Sequence, residues 1–81
     1  MITAERLDTL ISFTPKALAV ALANSGYTGC SFETAKFVGI TNGGRFCYRV
    51  TWFDEAGTGE IVEDKVFLTY HSDVGHVTAD F

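Results

Sequence analysis

Near the C-terminus two histidines and an aspartate, His71, Asp73 and His76, bracket a short polar stretch. If two strand ends meet there, the imidazole and carboxylate groups could ligate a metal ion or act as an acid–base pair, the centre of a small metal-dependent hydrolase. His-x4-His is not an established ligand spacing, and solvated histidines beside a hairpin turn are common. The expectation is therefore no metal and no cofactor, with His71, Asp73 and His76 as the alternative centre.

Cys47 could serve as a nucleophile with a histidine as base. It falls on an expected strand, away from any helix N-terminus, so nothing visible lowers its pKa. Ser25, Ser31 and Ser72 sit in no nucleophile-elbow pattern. No catalytic residue is assigned. Asn42-Gly43-Gly44 and Gly57-Thr58-Gly59 are glycine-rich, but neither leads into a helix carrying the lysine and hydroxyl of a phosphate-binding loop. Asp54, Glu55 and Glu60 lack the ligand spacing of a calcium loop.

Binding chemistry is better represented. Net charge is −4 over 81 residues, unevenly spread. Residues 1–53 hold five bases and three acids (+2), whereas residues 54–81 hold Lys65 against seven acids (−6). Such polarity bears on partners and encounter, not on fold. An acidic stretch of Asp54, Glu55, Glu60, Glu63 and Asp64 could dock on a basic partner or simply keep a hairpin soluble. A second candidate surface comprises Phe37, Arg45, Arg49 and Phe53, since aromatic and arginine side chains dominate interface hot spots.

Direct nucleic-acid binding is not expected. Two N-terminal helices suggest a helix-turn-helix, yet the would-be reading helix is mostly alanine, leucine and valine with one lysine. Lys36, Arg45 and Arg49 alone make a poor basic stripe.

These side chains must be positioned by a single small domain, as the length allows one hydrophobic core. Thr3 can cap a first helix in which Leu7, Leu10 and Ile11 share a face, ending near Ser12. Thr14-Pro15 restarts a helix over about residues 15–25, and Gly26 closes it with Tyr27 set over Leu22. That helix is apolar nearly all round, so it is expected against the sheet with a partial contact to the first helix or a second subunit.

From Phe32 onward the period becomes two. Phe46, Tyr48, Val50 and Trp52 form one face of a strand, with Arg45, Cys47, Arg49 and Thr51 on the other. The preceding strand runs over about 33–41. A two-residue Asn-Gly loop would oppose Lys36 to Arg49. A three-residue loop ending on Gly44 sets Ile40 beside Phe46 and Val38 beside Tyr48, which gathers the apolar side chains and is preferred. This register places Ala35 and Phe37 on the outer face. Glu60 to Tyr70 is a long extended stretch whose alternation falters at Glu63-Asp64-Lys65, the mark of a bulge or break. Ser72 to Gly75 is a turn, and His76 to Phe81 a final edge strand. The fold class is α+β, two N-terminal helices packed on a three- to four-stranded antiparallel β-meander (ααββββ).

Cys30 and Cys47 are too few for a secreted disulfide framework and are read as reduced core thiols. Met1 to Arg6 is charged rather than leader-like, and the apolar run Ala17 to Ala23 is too short to span a bilayer. No membrane role is expected, and the location is cytoplasmic. The functional expectation is a non-enzymatic protein-binding module, a small inhibitor or regulator that occludes a partner, with a phage-type accessory or anti-defence protein as one instance. The partner is another protein, or a second copy in a structural homodimer.

Overall fold

The computed structural model describes residues 3–81; Met1 and Ile2, the start of the charged opening segment, lie outside the described residues. Two helices, α1 (Ala4–Leu10) and α2 (Pro15–Asn24), precede four strands, β1 (Phe32–Ile40), β2 (Phe46–Trp52), β3 (Glu63–His71) and β4 (His76–Asp80). The strands form one antiparallel sheet in the order β1-β2-β3-β4. This is the ααββββ meander expected from the alternation, with all four strands present.

Local chemistry sets the helix ends. The Thr3 hydroxyl accepts from the Arg6 amide at 3.1 Å, and the Thr14 hydroxyl accepts from the Ala17 amide at 3.1 Å, each occupying an otherwise orphaned first-turn donor. Pro15 opens α2, where a missing N–H costs nothing. At the other end the Gly26 amide bonds the Ala23 carbonyl (3.1 Å) and the Tyr27 amide bonds the Leu22 carbonyl (2.8 Å). That pair of bonds is a Schellman motif, and it requires the left-handed φ of +101° that Gly26 adopts.

Helix α2 crosses one face of the sheet and packs on both edge strands, β1 and β4. Leu18 and Leu22 are fully buried there with Phe46, Tyr48, Val50, Val66, Leu68 and Ala79. Its alanines let the helix approach closely, and its opposite side stays in solvent, with Val20 52% exposed. Leu10 of α1 belongs to the same buried cluster as Leu18 and Leu22 of α2. The first helix is held on the same side of the sheet by the buried Leu10 and by Arg6, whose guanidinium lies 5.3 Å from the Tyr70 ring centre. The Tyr48 hydroxyl donates to the Leu10 carbonyl (2.7 Å) and accepts from the Phe13 amide (2.9 Å), tying the α1–α2 connection to the middle of the sheet. Ser25 covers an edge: its hydroxyl accepts from the Ala79 amide at 2.9 Å, so this donor of β4 is not left open to another strand.

The β1–β2 connection is the three-residue loop. Ile40 faces Phe46, the Gly44 amide bonds the Thr41 carbonyl at 2.9 Å, and Gly44 takes φ +80°. Beyond that loop the β1–β2 register departs from the one expected. A bulge at Val38 inserts a residue, so Phe37, not Val38, faces Tyr48, and Lys36 faces Arg49. Because the slip is a single residue, Phe37 and Ala35 turn to the helix side and pack on the core. β3 shows the converse. Its pairing with β2 is continuous through Glu63, Asp64 and Lys65, and it begins at Glu63 rather than Glu60. The alternation falters because Asp64 takes a helix-side position opposite Val50 yet is exposed there.

Both cysteines are free. Cys30 is half-buried between α2 and β1, where burial pushes its thiol pKa up; Cys47 is buried, but on the sheet face away from the helices. Both are free thiols, as expected, and they lie on opposite sides of the sheet. No helix among the described residues is long and apolar enough to cross a membrane.

Candidate functional site

With both helices on one side, the other face of the sheet is formed by side chains alone. Alternation from the buried rows places Thr34, Lys36 and Gly39 of β1, Arg45, Cys47, Arg49 and Thr51 of β2, Glu63, Lys65, Phe67, Thr69 and His71 of β3, and His76, Thr78 and Asp80 of β4 on it. Four of the six basic residues are therefore on this face, in a protein of net charge −4.

Their arrangement is specific. Lys36 faces Arg49 and Arg49 faces Lys65, so three cations stand side by side on three adjacent strands. All three are exposed. Strands lie about 4.8 Å apart, so the row is about 10 Å long. Like charges directly opposite each other destabilise a sheet. No carboxylate relieves them: the only ion pair among the described residues is Arg45–Asp80, at 3.0 Å. Arg45 is otherwise occupied, its guanidinium lying 4.3 Å from the centre of the Phe67 ring, with Cys47 buried beside them opposite Phe67. Thr34 and Thr51 hydrogen-bond across the strands at 2.5 Å next to the row. Glu63 stands beside it, two residues from Lys65 along β3 and opposite Thr51.

Of the residues expected to form an aromatic–arginine patch, Arg45 and Arg49 are on this face and the two rings are not. Phe37 is on the helix side, 5.5 Å from Tyr48 and 6.2 Å from Phe46 between ring centres. Phe53 follows the end of β2 and is 51% exposed, sharing a concavity with Pro15, Ala19, Cys30 and Phe32 on the helix side. Lys65 and Phe67 were not anticipated. Their alternation with Val66 and Leu68 is visible in the sequence, but their neighbours depend on the β2–β3 register.

The acidic candidates divide. Glu63 and Asp64 are in β3, whereas Asp54, Glu55 and Glu60 are in the exposed β2–β3 loop. Asp54 organises that loop: its carboxylate accepts from the Gly59 amide at 2.7 Å and the Thr58 amide at 3.2 Å. These donors, Gly59 first, hold its pKa below the usual carboxylate range. A carboxyl whose pKa is lowered by folding stabilises the loop above the ordinary range and ceases to do so as pH falls through the lowered value. Protection of the Gly59 and Thr58 amides from hydrogen exchange, corrected for intrinsic rate, is expected to fall over that acid interval. In Asp54→Ala it should be low at every pH, with β-strand amides unaffected.

His71 and His76 are cross-strand neighbours with ring centres 4.9 Å apart, and His71 Nε2 is 2.9 Å from the Thr78 hydroxyl. The strand ends thus bring both histidines together as the alternative site required. Asp73 does not complete it: among the described residues no group of three ligating side chains is gathered. Comparison of the chain with known families, curated proteins and solved structures gives no match.

Proposed function

We propose that this chain is a non-enzymatic protein-binding module, a small inhibitor or regulator that works by laying the open face of its sheet on a partner protein and occluding it. The observation that carries the proposal is the Lys36–Arg49–Lys65 row, three exposed cations kept directly opposite one another without a carboxylate partner. A surface that costs the free protein stability is accounted for when its charge is matched in a complex. Two free thiols suit the cytoplasm as the place of action.

Arg49→Glu separates the two roles. A glutamate between Lys36 and Lys65 converts two repulsive pairs into attractive ones, and should stabilise the fold by about 1 kcal/mol, raising Tm by roughly 5 °C. The same change should abolish capture of the partner from an extract of the source cells, whereas Lys16→Glu, at an exposed base off the row, should leave capture intact. Undiminished capture by the better-folded Arg49→Glu protein would exclude the sheet face as the working surface.

A further inference from the structure

We infer that the surface recognised by the open face is the acidic stripe of an α-helix, carrying carboxylates at positions i, i+4 and i+7 and lying across the strands along the Lys36–Arg49–Lys65 row. This rests on the protein-binding proposal and specifies its partner. Three observations support it. The row runs perpendicular to the strands, because the three residues occupy matched register positions on β1, β2 and β3. Its charges therefore recur at the inter-strand spacing of about 4.8 Å. A helix rises about 1.5 Å per residue, so carboxylates at i, i+4 and i+7 recur at about 6.0 and 4.5 Å along its axis and share one face. The two periods match closely enough for flexible lysine and arginine side chains to take up the difference.

Second, the row is short and bounded. Glu63 stands on the same face beside it, two residues from Lys65 along β3, and Asp54, Glu55 and Glu60 populate the adjoining loop. On the other side of Arg49 along β2, Arg45 is already neutralised by Asp80. A nucleic-acid duplex presents a charge every ~1.7 Å and is broader than one row of cations, so its phosphates would meet the carboxylates that flank the row. A helix with three acids and uncharged or basic residues beyond them meets no such repulsion. Third, the sheet face offers few stacking platforms for bases: Phe67 is its one aromatic ring outside the histidines, and the Arg45 guanidinium already covers it.

The test uses the full chain and two alanine-rich peptides of about 20 residues, long enough to be helical. Both contain three glutamates, at i, i+4 and i+7 in one and distributed around the helix in the other. Fluorescence anisotropy should show the patterned peptide binding at least about tenfold more tightly than its isomer. Arg49→Glu should remove that binding, Lys16→Glu should not, and added salt should weaken it. Amide shifts on titration should centre on Lys36, Arg49 and Lys65. Equal affinity for the two peptides, failure of the patterned peptide to bind, or tighter binding of a thymidine oligonucleotide of equal charge would overturn the helix assignment. If Arg49→Glu still loses partner capture in that case, the protein-binding proposal stands and only the nature of the partner surface is wrong; if capture is retained, the proposal itself falls.

Discussion

Tyr48→Phe is expected to lower the stability of the fold by about 2 kcal/mol, although it removes a single oxygen atom. The ring is 1% exposed, and its hydroxyl satisfies two backbone groups at once, the Leu10 carbonyl and the Phe13 amide. Phenylalanine keeps the ring and its edge-on contacts with Phe13 and Phe37 but leaves both backbone groups without a partner in a place water reaches poorly. For a chain of this size the loss corresponds to roughly 10 °C in Tm. Hydrogen exchange should show it as early opening of α1 and the α1–α2 connection, ahead of the central strands.

The same residue gives a pH signature. Burial pushes the Tyr48 pKa up, with the Phe13 amide bond pulling weakly the other way. A tyrosine whose pKa is raised by folding contributes stability that is complete below the unfolded value and is lost as pH rises through the folded one. The alkaline limb of the stability curve should therefore be shallower in Tyr48→Phe than in the native protein. Denaturant unfolding measured from neutral pH upward checks both points, and an unchanged midpoint would mean that the hydroxyl is not holding the connection.

Phe37→Ala should cost about 2–3 kcal/mol, against less than about 1 kcal/mol for Phe53→Ala. Both residues carry the same side chain, and unbroken strand alternation would put both on the binding face. Phe37 packs edge-on against Tyr48 and obliquely against Phe46, so truncation leaves a gap beside two buried rings. Phe53 lies beyond the strand end with half its surface in solvent. Urea midpoints of the two variants decide the matter. Equal, small losses would put Phe37 on the open face and undo the Val38 bulge. The expected inequality also means that Phe37→Ala is a poor probe of binding, because it acts through the fold.

The open face differs from the surface expected from sequence in its aromatic residues and its lysines. Arginine was correctly placed there, by the strict alternation of Arg45, Cys47 and Arg49 against Phe46, Tyr48 and Val50. The aromatic half of the expected patch was not, because Phe37-Val38 is a pair of apolar residues and a one-residue slip between them leaves no trace in the hydrophobic pattern. In place of those rings the face gains Lys36 and Lys65, which turn two isolated arginines into a row with a charge period.

What the chain's own order of residues determined is everything that closes within a turn or a tight hairpin. Thr3, Thr14-Pro15 and Gly26 set the helix ends, since each bond there links residues at most five apart. Asn42-Gly43-Gly44 set the first hairpin, and the two-residue period of β2 set its buried face. The tertiary structure decided what depends on partners distant in sequence. It turned Phe37 inward through the bulge at Val38, placed the Tyr48 hydroxyl between Leu10 and Phe13, and put Lys65 opposite Arg49. That last pairing spans the long β2–β3 loop, whose length carries no register information. Only when the sheet packs under α2 does one register bury Val66 and Leu68, and the same choice lines up the three cations on the opposite face.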